Sequence, residues 1–130
     1  MSLLVSAILL LLPVLGSSAA VQASAAEESV TKREIAFMIE QTRLSGCRFY
    51  RNGAWYDASR AADHLSTKYE YLAAHGQIET AEEFIEKAAS RSSLSGRVYQ
   101  IQCAGKESVP SEQWFRELLS RYREQRSSAR

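Results

Sequence analysis

The first charged side chain in this sequence is Glu27, and the polypeptide contains only two cysteines, two histidines and two prolines. Each scarcity excludes a class of protein. With no C-x-x-C pair, Cys47 and Cys103 give no support to thioredoxin-like redox chemistry. The histidines, His64 and His75, lie on one expected helix and rise roughly 16 Å apart, too far to share one ion, so no metal site is expected. There is no G-x-S-x-G element, and the single S-x-x-K match, Ser29 to Lys32, lacks the companion motifs that give it meaning. No nucleotide or cofactor motif occurs, so no cofactor is expected. Sixteen Lys and Arg balance fifteen Asp and Glu, which disfavours nucleic acid as a bulk electrostatic partner.

The uncharged beginning carries its own message. The apolar run Leu3 to Leu15 is broken by Pro13 and closed by Gly16, and small residues then lead to Ala23-Ser24-Ala25. A bilayer span needs about 20 apolar residues, whereas this run has the length of a signal-peptide core followed by an A-x-A cleavage pattern. Residues 1–25 are therefore expected to be a signal peptide cleaved near Ala25. The n-region has no Lys or Arg, and an uncleaved anchor is the rival reading. Cleavage would leave residues 26–130 as a single exported domain, periplasmic or secreted, with no stable membrane span. Its two cysteines would then meet an oxidising compartment, where a Cys47–Cys103 disulfide stabilises the fold by about 4 kcal/mol in the chain-entropy account.

Hydrophobic period and capping chemistry predict the elements. Thr31 with Glu34 reads as a capping box, and Val30 as a staple onto Ile35, opening a helix that ends at Gly46. Asn52-Gly53 between two aromatic runs predicts a type I′ hairpin of Cys47–Arg51 with Ala54–Tyr56, pairing Tyr50 with Trp55 and Phe49 with Tyr56. Asp57 caps a helix to about His75, whose stripe is Ala58, Ala61, Ala62, Leu65, Tyr69 and Leu72; Gly76 ends it. Thr80 and Glu83 start a third helix with Ala81, Phe84, Ile85, Ala88 and Ala89 inward. Ser90 to Gly96 is a loop, and Val98 to Cys103 alternates as a half-buried strand. From Pro110-Ser111 a last helix directs Trp114, Phe115, Leu118, Leu119 and Tyr122 to the core. The expected fold class is α+β, a single small domain of order αββααβα, with a three-stranded antiparallel sheet packed with four helices and one disulfide.

Two regions stand out as candidate binding surfaces. His64 and Lys68 lie one turn apart on the flank of their helix, beside Asp57 and Tyr71. The loop places Ser92, Ser93 and Ser95 between Arg91 and Arg97, a set of hydroxyls and guanidinium forks suited to an anion. The plainer readings are an edge-of-core histidine beside a snorkelling lysine, and serines that satisfy loop backbone. The arginine-rich stretch Arg116 to Arg130 reads as a solvated, partly paired helix face.

The ordered motifs Cys47, Arg51-Asn52-Gly53, His64-Leu65, Lys68-Tyr69, Ile78-x-Thr80-Ala81-Glu82-x-Phe84-Ile85, Ala89-Ser90-x-Ser92-Ser93-x-Ser95-Gly96 and Tyr99-x-Ile101-x-Cys103 resemble the YfeK-like family of small exported bacterial proteins. The resemblance implies a periplasmic protein of bacterial origin and carries over no activity, cofactor or catalytic residue. The sequence thus leads to a non-enzymatic binding or interaction module for an envelope component, protein or polar ligand, built on the serine loop and the His64/Lys68 flank. The alternatives are a small hydrolase or transferase using His64 and a loop serine, and a structural or assembly protein exposing Tyr50, Trp55 or Tyr56.

Overall fold

The Asn52-Gly53 turn builds the hairpin on which the rest of the sheet is registered. Both turn residues adopt positive φ, 48° and 86°, the backbone that a type I′ turn requires. In the computed structural model, which describes residues 18–130, β1 (Arg48–Arg51) pairs antiparallel with β2 (Ala54–Tyr56), and Phe49 faces Tyr56 while Tyr50 faces Trp55. This is the register expected from the sequence. The leader segment Leu3 to Leu15 lies outside the described residues.

The sheet has four strands where the sequence reading expected three. β3 (Gln100–Gln102) pairs antiparallel with β1, placing Ile101 beside Phe49, and β4 (Val109–Pro110) pairs antiparallel with β3, giving the order β2-β1-β3-β4. The element order is therefore αββααββα. β4 escapes a sequence reading because it is two residues long and half proline, which survives only at a sheet edge because it has no N–H to donate. The expected strand from Val98 is also shorter: Val98 makes only an isolated bridge to Arg91.

The first helix, α1 (Ser18–Leu44), passes straight through the expected start at Thr31. The capping groups have tertiary partners instead. Thr31 Oγ1 donates to the Glu79 carbonyl (3.2 Å), and the Glu34 carboxylate accepts two bonds from Arg123 at 2.8 and 2.9 Å. Val30 stays exposed while Ile35 is fully buried, so no staple forms. Residues 19–30 are exposed throughout.

α2 (Ala58–Ala74) is capped as expected, Asp57 Oδ1 accepting the Arg60 N–H at 2.8 Å. It ends at Gly76, whose φ of +66° lets the Gln77 N–H reach back to the Leu72 carbonyl. The third helix begins at Thr80, whose Oγ1 accepts the Glu83 N–H, while the Glu83 carboxylate accepts the Glu79 N–H. After one α-helical turn, α3 (Ala81–Phe84), the chain widens into a π-helical segment, Ile85–Ala89, closed by Ser90 Oγ donating to the Ile85 carbonyl at 2.5 Å. The five stripe residues are buried as the spacing predicted. α4 (Ser111–Ser128) then lays Phe115, Leu118 and Leu119 into the core, with Trp114 partly covered.

Phe49 and Ile101 bring the inner face of the sheet into one apolar cluster with Ile35, Met38, Leu65, Phe84 and Phe115. Edge-to-face contacts orient the rings: Phe84 with Phe115 at 6.4 Å and Trp114 with Phe115 at 4.9 Å. Cys47 and Cys103 form the expected disulfide, with Cα atoms 4.2 Å apart and a sequence separation of 56. No helix among the described residues is long and apolar enough to cross a membrane.

Candidate functional site

Strand alternation puts Arg51 on the same inward face as Phe49, aimed at the flank of α2. There it meets His64. The Arg51 Nη1 lies 2.8 Å from His64 Nδ1 and 3.3 Å from Nε2, while the Tyr99 hydroxyl stands 3.5 Å from Nε2. One turn along α2, Lys68 donates to the Arg91 carbonyl at 2.7 Å and lies 5.2 Å from the centre of the Tyr99 ring. The Arg51 guanidinium also stacks 4.7 Å over Tyr56, which Arg60 approaches at 5.2 Å.

Arg51, Tyr56, Arg60, His64 and Tyr99 rim a cavity of about 30 Å³ floored by Phe49, Leu65, Ala89 and Phe115, and Lys68 stands outside its lining, one turn of α2 beyond His64. At roughly 10–15 Å³ per water-sized group, it holds two such groups or the end of a short chain. The wider π turn contributes directly. It sets Ala89 into the cavity wall and delivers the Arg91 carbonyl to Lys68.

The electrostatics are one-sided. Burial first, then Arg51 and Lys68, push His64 down to about 4, so the ring is neutral at pH 7. Burial and then Arg51 lower Lys68 to about 8. Burial raises the Tyr99 phenol, with Arg51 opposing. No carboxylate among the described residues pairs with Arg51, Arg60 or Lys68, whereas Arg43, Arg116 and Arg123 all have acidic partners.

The structure joins the two candidate surfaces read from the sequence, through a residue that neither included. Asn52, at the hairpin turn next to Arg51, donates to Ser92 Oγ at 3.2 Å and accepts from Ser95 Oγ at 2.7 Å. Ser92 is buried and also caps the N–H groups of Leu94 and Ser95. The Lys68–Arg91 bond ties the other end of the loop to α2. Ser93 and Arg97 are exposed, and Arg97 contributes backbone, its carbonyl accepting the Ser92 N–H. The hydrogen-bond partners of His64 among the described residues are Arg51 and Tyr99, not a serine.

The neighbours expected for His64 are elsewhere. Asp57 is spent as the α2 cap, and Tyr71 points outward and stacks on His75 at 4.3 Å. Arg51 and Tyr99 were missed because helical periodicity sees only the residues of one helix. The signal was present in the strands: Arg51 shares the face of Phe49, and Tyr99 that of Ile101.

No curated protein and no solved structure matches this chain. A family of unknown function, DUF5329, matches residues 29–123, a span that holds the hairpin, the cation cluster, both cysteines and most of α4. The chain belongs to the DUF5329 family.

Proposed function

We propose that this protein is exported and acts as a non-enzymatic binding module whose site is the Arg51–His64–Lys68–Tyr99 cluster, with Asn52 and the Ser92–Ser95 loop as its polar wall. The ligand is the anionic group of an envelope component or protein. One observation carries the reading: two half-buried cations, Arg51 in the wall of an apolar cavity and Lys68 against the Tyr99 ring beside it, close enough for Arg51 to lower the proton affinity of Lys68, have no carboxylate to compensate them among the described residues. Leaving charge partly desolvated and unpaired costs stability, and an arriving anion recovers it. The geometry also disfavours the hydrolase reading. A serine hydrolase needs a nucleophile against the histidine base and an acidic group to orient it, and the partners of His64 among the described residues are Arg51 and Tyr99.

Export is supported by the leader pattern, by the disulfide, and by the exposure of residues 19–30, which allows cleavage after Ala25 without uncovering the core. The resemblance to YfeK-like proteins supports a bacterial periplasmic setting. Two measurements test the proposal. Sulfate added to the ¹⁵N-labelled protein at pH 7 is expected to shift Arg51, His64, Lys68 and Tyr99, and Arg51→Gln or Lys68→Gln to weaken binding at least about fivefold, the scale of one charge-assisted hydrogen bond. Shifts confined to the arginines of α4 would overturn the site. The intact mass of the protein recovered from its native cell is expected to begin at Ala26, and a full-length chain would overturn export.

A further inference from the structure

We infer that this site couples anion capture to proton uptake: the bound anion draws the Arg51 guanidinium off the His64 ring, and the freed ring takes a proton and becomes a second cation facing the ligand. The inference rests on the reading that the cluster binds an anion. Its basis is the donor and acceptor inventory of the two side chains. A guanidinium only donates, so the ring nitrogen 2.8 Å from Arg51 Nη1 must present a lone pair. His64 is then neutral: Arg51 Nη1 lies 2.8 Å from Nδ1 and 3.3 Å from Nε2, and the one ring proton belongs to the nitrogen that does not accept from it. An imidazolium has no lone pair to offer. The Arg51 contact and the charged ring are therefore mutually exclusive, which makes the pair a two-state element. Tyr56 gives Arg51 a resting place in either state, because the guanidinium already lies over that ring.

The surroundings decide what can tip the balance. Around His64, β1 contributes Arg51, β2 contributes Tyr56, α2 contributes Arg60 and Lys68, and the chain entering β3 contributes Tyr99; the π segment and α4 bring only Ala89, Ser111 and Phe115. No acid is in this set. The two nearby aspartates are committed, Asp57 to the α2 cap and Asp63 to Arg43. An arriving anion is thus the one source of negative charge that can offset the new proton, and by linkage the anion must bind more tightly as the pH falls. The ligand class is a small oxyanion group, sulfate, phosphate or carboxylate, able to bridge Arg51, Lys68 and the protonated ring.

Sulfate is the probe because its charge is constant over the range used. Its affinity is measured calorimetrically at pH 7 and pH 5, and the His64 ring is followed by NMR. If bound sulfate restores His64 to its ordinary value, binding tightens roughly twentyfold between pH 7 and pH 5, and the ring midpoint rises by about two and a half units. His64→Gln is expected to flatten that pH profile. Sulfate binding that is equally tight at both pH values, with an unmoved ring midpoint, overturns the coupling and leaves the anion site standing. No sulfate binding at either pH removes both. Phosphatidylglycerol vesicles in place of sulfate separate the sources: the same tightening from pH 7 to pH 5 assigns the oxyanion to a lipid headgroup, and its restriction to the free ion assigns it to a soluble ligand, each supporting the coupling.

Discussion

Removing the Arg123 guanidinium should cost this domain about 2 kcal/mol, most of it through one carboxylate. Glu34 projects from α1 with a side chain only 9% exposed, and Arg123 of α4 grips both its oxygens. Arg123 also reaches Glu82 of α3 at 2.5 Å, but that carboxylate is 46% exposed and retains much of its hydration. Breaking a fully buried pair by deleting one partner costs roughly 3–5 kcal/mol. The guanidinium here is itself 46% exposed, so solvent screening brings the expectation for Arg123→Met down to about 2 kcal/mol. For a domain of this size that is a Tm decrease of about 10 °C. Chemical denaturation of the oxidised protein, in a double-mutant cycle with Glu34→Gln, isolates the pair, and a second cycle with Glu82→Gln should give only about 0.5 kcal/mol. A Glu34–Arg123 coupling no larger than the Glu82–Arg123 coupling would refute the argument that burial of Glu34 sets the cost.

Replacing both cysteines by serine should lower stability by about 4 kcal/mol, and equal denaturation midpoints for the two forms would contradict a structural bridge. Asn52→Ala removes a φ of +48° that the turn needs and both side-chain bonds to the serine loop, so a loss of about 2 kcal/mol is expected, together with faster amide exchange at Ser92 to Ser95. Ser111→Ala deletes a buried 2.6 Å bond to the Ala89 carbonyl and should cost about 1–2 kcal/mol, read from the unfolding midpoint. Because the folded-state value of His64 lies at about 4, below the unfolded 6.5, the unfolded chain binds the extra proton between those values. Stability should therefore be full above pH 6.5 and fall as the pH drops towards 4, by about 1–2 kcal/mol after discounting for the half-exposed ring, and His64→Gln should remove that slope.

Where the sequence was legible, the determinant was local. Asn52-Gly53 dictates the turn, and the turn length dictates the register, so Tyr50 opposite Trp55 follows without knowledge of anything beyond Tyr56. Asp57 caps α2 for the same reason. Where the reading departed from the fold, a distant residue had won. Thr31 and Glu34 carry the pattern of a capping box, but Glu79 and Arg123 compete for those groups and the helix runs on. The π turn was invisible because Phe84, Ile85, Ala88 and Ala89 fall on one side of either helix type, and the difference lies in backbone bonds that reach five residues instead of four, with the Ser90 hydroxyl adding a side-chain bond to the Ile85 carbonyl. β4 exists because Ile101 and Gln100 present an unpaired edge to it, not because Val109-Pro110 favours a strand. The candidate site was half visible by the same logic. His64 and Lys68 share one helix, whereas Arg51 and Tyr99 reach them only once the sheet has closed on α2.

The bond between Cys47 and Cys103 sits where β1 and β3 meet, at the middle of the sheet, and those two strands are the most distant neighbours in it. Bringing such remote segments together is the slow, entropically costly part of assembling a small mixed domain. A chain unfolded with the bridge intact begins its return with that closure already made, so it should refold faster than the reduced chain. Once oxidised, the protein carries a permanent record of its hardest search.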